Sequence, residues 1–197
     1  GYAISLSWDA ADRLVKISEA DPDDAGAQAA PVTLHTYDAV DNLVSITDAL
    51  GRVTVYGYDG LNRSTSITDA LGNRSDVRYD AMGNAIAVVD ALGRVTQNIY
   101  DSRNRLVRSV EADPDGNEGP LAAPVTSFVY DAMGNVVSTT AALGRVTAYG
   151  YDARDRMISA TDPEGNVRAV QYDAVGNATL MTDELGRVTG FTFDGLN

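Results

Sequence analysis

"DALGRVT" occupies residues 48–54 and returns unchanged at 90–96, then as "AALGRVT" at 141–147 and "DELGRVT" at 183–189. A phrase spelled four times in 197 residues is either a repeated site or a repeated joint. Its residue types favour the joint. Asp48 suits the first position of a tight turn, and Gly51 supplies the positive φ that closes it. Arg52-Val53-Thr54 then lead into a strand, with Leu50 expected to pack inward at the tip. Gly72, Gly93, Gly144, Gly165 and Gly186 stand at the position equivalent to Gly51.

A second punctuation mark alternates with the first. An aromatic–Asp pair recurs at Trp8-Asp9, Tyr37-Asp38, Tyr58-Asp59, Tyr79-Asp80, Tyr100-Asp101, Tyr130-Asp131, Tyr151-Asp152, Tyr172-Asp173 and Phe193-Asp194. Six of the eight steps between pairs are 21 residues; the others are 29 and 30. Both long steps hold an insertion, at about 19–31 and 111–124, where other units carry the short "DALG" turn. Insertions into turns are the cheapest kind. Four units plus one long loop define a superperiod of 92–93 residues, present about twice. Residues 1–197 therefore read as one repeat array, expected to be a segment of a longer chain.

Three residues after each of these Asp residues stands Asp12, Asp41, Asn62, Gly83, Asn104, Gly134, Asp155, Gly176 or Asn197. All are residues that tolerate a left-handed backbone. Between the two marks lie short stretches such as "LVSIT" (43–47), "RVTVYGY" (52–58) and "TSFVY" (126–130). They are rich in Val, Ile, Thr and Tyr and too short for helices, which predicts strands. Two strands per unit give an antiparallel meander of roughly 17 strands, too many for a flat open sheet. The expected fold is all-β: tandem ~21-residue hairpins in one antiparallel sheet coiled into a spiral shell or tube.

An array of "YDAxGN…ITDALGRVT" units resembles the bacterial Rhs, or YD-repeat, family along the whole chain. That family includes polymorphic toxins, shell subunits of insecticidal toxin complexes, wall-associated proteins and, distantly, animal teneurins. The resemblance implies a hollow shell of spiralling hairpins that encloses a C-terminal toxic domain, in a bacterial protein secreted or held at the cell surface. It also implies a self-cleaving aspartate protease region in toxin members. "DPEG" (162–165) is superficially like the motif of that region, but Asp162 falls in register with Asp48 and Asp69 and reads as a turn residue.

Composition narrows the function classes further. The formal charge is −13, which argues against nucleic acid as a partner. Cys is absent, and no apolar run is long enough to span a bilayer. Lys16 is the one lysine among 15 basic residues, and the arginines can pair locally with carboxylates. His35 fills the slot held elsewhere by Tyr56, Phe128, Tyr149 and Phe191, which suits a strand substitution better than a lone metal ligand. Calcium is the one cofactor the sequence raises. "DPDGNEG" (113–119) sets Asp113, Asp115 and Asn117 at alternate positions, but Glu118 stands where Gly is needed and Val125 near the place of the bidentate acid. No catalytic, cofactor-binding or metal residue is therefore assigned, and no enzyme is expected.

Two patterns stay open at this level. The repeated aromatics can pack across strands or offer a platform for sugar, and packing is the expectation. The residue after the left-handed position runs Arg13, Asn42, Arg63, Asn84, Arg105, Asn135, Arg156, Asn177, a strict alternation with no account from spacing alone. The expected role is a structural scaffold: a shell around a toxin domain, or alternatively a repeat unit of an extracellular fibre, tube or adhesion protein. The expected partners are further repeats of the chain, an enclosed toxin domain, or identical subunits end to end.

Overall fold

Strand-forming segments of five or six residues, each bounded by a turn signal, fold as that alternation requires. The computed structural model describes residues 4–20, 29–115 and 121–194. Parts of both inserted loops (21–28 and 116–120) lie outside the described residues, as does much of the calcium motif at 113–119. Within the described residues there are 17 strands and one short 3-10 turn, Ala142–Gly144.

The chain forms two compact units, Gly1–Val95 and Thr96–Asn197. In the first, β1 (Ser5–Trp8), β2 (Leu14–Ser18), β3 (Val32–Tyr37) and β4 (Leu43–Thr47) run on into β5 (Val53–Tyr58), β6 (Ser64–Thr68), β7 (Arg74–Tyr79) and β8 (Ala85–Val89). Each strand pairs antiparallel with the next in sequence. The second unit holds β9 (Val95–Tyr100), β10 (Leu106–Val110), β11 (Val125–Tyr130), β12 (Val136–Thr140), β13 (Val146–Tyr151), β14 (Met157–Thr161), β15 (Val167–Tyr172), β16 (Ala178–Thr182) and β17 (Val188–Gly190). It is a meander of the same kind.

Register is set by the turns. In every hairpin closed by an aromatic–Asp turn the ladder slips by one residue near the aromatic, as between Gly57 and Tyr58. Such a bulge accompanies a type I turn that ends in a left-handed residue. The left-handed positions foreseen from sequence are confirmed: Asp12, Asp41, Asn62, Asn104 and Asp155 lie at φ 58–69°, and the glycines at 72–108°. Asn197 lies outside the described residues. Two glycines have a different purpose. A Cβ on Gly57 would stand 2.4 Å from Ser66 Oγ, and one on Gly150 would stand 2.5 Å from Ser159 Oγ, so a side chain at either place would force the facing serine hydroxyl to move.

Neither unit encloses an apolar core. Among the described residues no hydrophobic side chain is buried, and Ser66, at 8% exposure, is the one buried residue. This corrects the inward placement of Leu50, which is 78% exposed. Its turn projects beyond the sheet edge, where there is no interior to enter. Charge is segregated too: among the described residues Asp76 is the one acidic residue inside a strand, so the other described acids gather at turns and loops.

Candidate functional site

The repeated chemistry lies at the turns, and the two turn types are built alike. In the aromatic–Asp turn, Asp9 Oδ1 accepts from the backbone N–H of Ala11 (2.8 Å) and of Arg13 (3.1 Å), while Oδ2 accepts from Arg13 Nε (2.7 Å). In the "DALG" turn, Asp48 Oδ1 accepts from Leu50 N–H and Arg52 N–H (both 2.9 Å), and Oδ2 from Arg52 Nε (2.6 Å). The backbone closes both in the same way. Asp48 N–H donates to Arg52 C=O and Gly51 N–H to Asp48 C=O, each at 2.9 Å. Asn can replace Arg: Asn73 Nδ2 donates to Asp69 Oδ2 at 2.8 Å. A short carboxylate is suited to this task because it reaches N–H groups two and four residues on without leaving the turn. Arg52 thus completes a turn as well as leading into β5.

The geometry also explains the Arg/Asn alternation. Arg13 spans from its own turn to the next turn on the same edge: Nη1 donates to Asp38 C=O (3.0 Å) and to Asp41 Oδ1 (2.7 Å). Its guanidinium carbon lies 4.9 Å from the centre of the Tyr37 ring. Arg63, Arg105 and Arg156 repeat this over Tyr79, Tyr130 and Tyr172 at 4.6, 4.4 and 4.4 Å, and reach the carbonyls of Asp80, Asp131 and Asp173. The turn receiving an Arg carries Asn, whose shorter amide turns to the following hairpin. Asn42 Nδ2 donates to Asn62 Oδ1 (3.1 Å), and Asn135 Nδ2 to Asp155 Oδ1 (2.8 Å). At Asn42 and at Asn135 a short linker therefore follows a long one along the edge.

The tyrosines close the remaining gap. Tyr37, Tyr58, Tyr79, Tyr130, Tyr151 and Tyr172 donate their hydroxyls to the first carbonyl of the preceding strand: Leu14, Leu43, Ser64, Leu106, Val136 and Met157, at 2.8–3.1 Å. These tyrosines act across strands through a hydroxyl–carbonyl bond, and Tyr37, Tyr79, Tyr130 and Tyr172 also through a guanidinium over the ring face.

These bonds hold the turn carboxylates ionised. Arg side chains hold Asp9, Asp59 and Asp101 below the ordinary value, and Arg156 brings Asp152 to about 2. Asn side chains act likewise on Asp38, Asp80 and Asp131. For Asp48, Asp90 and Asp183 the largest cause is the backbone N–H of the Arg four residues on. A carboxylate committed to three donors is a poor general acid or base.

Asp162 is such a turn residue, accepting from Glu164 N–H and Asn166. His35 sits in β3 opposite Ile46, with Nδ1 buried and lacking a hydrogen-bond partner. In the second inserted loop Asp113 is pushed up by the neighbouring Asp115 carboxyl. Among the described residues no cluster of three or more His, Cys, Asp or Glu is placed to hold a metal ion. No helix there is long and apolar enough to cross a membrane.

The RHS repeat family matches residues 37–74, 79–118 and 130–167, more than half of the sequence. The chain belongs to the RHS repeat family. Among solved structures, the fold is that of a crystal structure of TcdB2-TccC3 without its hypervariable C-terminal region, at 19% identity and a TM-score of 0.73, over 96% of this chain and 12% of that one. TcdB2-TccC3-Cdc42 matches at 18% identity and 0.70, over 93% and 11%. The Photorhabdus luminescens Tc holotoxin pore matches at 18% and 0.68, over 91% and 11%. The RHS chain thus spans about one ninth of the length of the chains it resembles. Comparison with curated protein sequences gives no match.

Proposed function

We propose that this chain is a length of wall in a secreted bacterial container, an RHS-repeat sheet that encloses a toxin domain and performs no chemistry of its own. The observation that carries this reading is the use of the repeated polar groups. Arg, Asn and Tyr side chains reach from one hairpin to the next, while the Asp carboxylate that opens a turn closes that turn. No hydrophobic residue among the described ones is buried, so both sheet faces remain available. A repeat that joins only to its neighbours and keeps its faces free is suited to extending a surface. The folds of the toxin-complex chains support the same reading, and the hypervariable C-terminal region named for one of them fits a common wall around differing contents.

The test is electron microscopy of the full-length protein, with limited proteolysis on the same sample. Closed, hollow particles of fixed size, with a protease-protected segment inside, are the expected result. Tubes of variable length with no protected segment would replace the container by the fibre, to which the near-exact superperiod is equally suited.

A further inference from the structure

In a repeat array a residue that departs from its slot is one that strand pairing did not ask for. Three such departures belong to the second unit and lie far apart in sequence. The slot held by Thr54, Ser75, Thr96 and Thr147 is a small hydroxyl residue in every unit except at Arg168. The slot held by Ile46, Ile67, Val88, Thr139 and Met181 shrinks to a methyl group at Ala160. The second turn position, Ala49, Ala70, Ala91 and Ala142 in other turns, is Glu184.

Folding brings the three together beside an aromatic ring. Tyr149 pairs with Ala160, and Ala160 with Arg168, so they form one line across β13, β14 and β15. At the usual strand spacing Tyr149 and Arg168 stand about 9–10 Å apart. Only the Ala160 methyl lies on the line between them. From the turn after β16, Glu184 Oε1 accepts from Arg168 Nε. The result is a recess of about 240 Å³, lined by these four residues, by Thr147, and by Asp162 and Asn166 at the ends of their turn. The first unit has no such place. There the same line reads Tyr56, Ile67, Ser75, so Ile stands where the gap would be, and Ala91 takes the position of Glu184.

We infer that this recess binds a single neutral sugar ring. Its volume lies below the roughly 300 Å³ at the small end of ligand pockets, which limits the occupant to about one ring. A pyranose has an apolar C–H face and a rim of hydroxyls, and the recess offers both counterparts. The Tyr149 ring supplies the apolar surface. Its hydroxyl is open as well: Tyr58 and Tyr151 donate theirs to strand carbonyls, whereas that of Tyr149 has no partner among the described residues. Neighbouring sugar hydroxyls both donate and accept, which suits a guanidinium with its Nη groups to spare beside a carboxylate with a second oxygen. Charged ligands fit less well. Arg168 and Glu184 cancel, and the Asp162 carboxylate, already committed to Glu164 and Asn166, repels anions. The inference goes beyond the wall reading and does not depend on it, because a sugar-binding face serves a container and a fibre alike.

Saturation-transfer NMR of the protein with the methyl pyranosides of glucose, galactose and mannose tests it. Transfer to at least one sugar is expected, with a dissociation constant on the order of millimolar, the strength ordinary for so few atoms. Ala160→Ile and Arg168→Ser place first-unit residues in the second unit, so the fold should survive, as an unchanged circular dichroism spectrum would show. Each should weaken binding about tenfold or more, and so should Tyr149→Ala. Tyr56→Ala, on the line that Ile67 fills, should leave binding unchanged. No transfer to any of the three sugars would overturn the inference. So would undiminished binding by Ala160→Ile, or equal losses from Tyr56→Ala and Tyr149→Ala.

Discussion

The turns at 48–52 and 141–145 occupy corresponding places in the superperiod and share Leu, Gly and Arg, yet they are held differently. Asp48 gathers two N–H groups and the Arg52 guanidinium. Ala141 offers none of this, so Arg145 leaves its turn for Glu164, whose superperiod counterpart is Leu71. The outer frame survives: Ala141 N–H still reaches Arg145 C=O at 2.8 Å, and Gly144 N–H reaches Ala141 C=O at 3.2 Å. The inner path does not. Leu143 takes φ 64°, a left-handed value that Leu50 does not share, and the turn tightens to 3-10. The glycine position and strand pairing therefore make the turn, and the carboxylate chooses the conformation inside it.

If the glycine makes both turns, Gly51→Val and Gly144→Val should each cost about 1–3 kcal/mol, since a β-branched residue is forced to positive φ. Nothing lies within 4 Å of a Cβ at either site, so the loss would be backbone strain rather than a clash. Chemical denaturation of the two variants measures it. A loss at Gly51 alone would mean that the uncapped turn has already escaped the shared frame.

The next effect has opposite signs in the two turns. Leu143→Gly should stabilise by about 1 kcal/mol, because it relieves a left-handed residue bearing a Cβ. Leu50→Gly should destabilise by about 0.5 kcal/mol, because it adds freedom only to the unfolded chain. Thermal melts of both decide. The same sign in both would show that the strain at Leu143 has no energetic weight.

Much of this was legible in the sequence and some was not, for identifiable reasons. Asp at the turn start and Gly or Asn at the left-handed place each act within five residues, so strands, turns and register follow from local spacing. The Arg/Asn alternation was visible as a pattern only. Its cause is a contact from Arg13 to Asp38 and Tyr37, across an insertion and between hairpins. The likeness of the two turn types was hidden because Arg52 read as the start of a strand, while its side chain completes the turn. Leu50 was misplaced because an apolar residue suggests an interior, and a single-layer sheet has none at its edge.

Exchanging the caps should exchange the behaviour. Asp48→Ala should lower the melting temperature by a few degrees, and Ala141→Asp should raise it while drawing Arg145 back from Glu164. Acid should act in the same direction as Asp48→Ala. The turn carboxylates have depressed values, so their stabilisation is complete above the ordinary 3.8 and is lost as pH falls through the folded value, about 2 for Asp152. Melting temperature followed from pH 5 downward should therefore hold until about pH 4 and then fall. Asp48→Ala should flatten that fall slightly and Ala141→Asp should steepen it.

The smallest effect expected is that of the displaced ion pair. Arg145 and Glu164 are 59% and 58% exposed and 2.9 Å apart, so solvent screens most of their attraction. A double-mutant cycle with Arg145→Ala and Glu164→Ala should give a coupling below about 0.5 kcal/mol, diminishing further in salt. A coupling well above that would mean the pair does for the second turn what Asp48 does for the first, holding its conformation from outside. The backbone argues otherwise. With the pair formed, Leu143 still sits at φ 64°, so the link to Glu164 has not restored the path that the Asp48 carboxylate imposes.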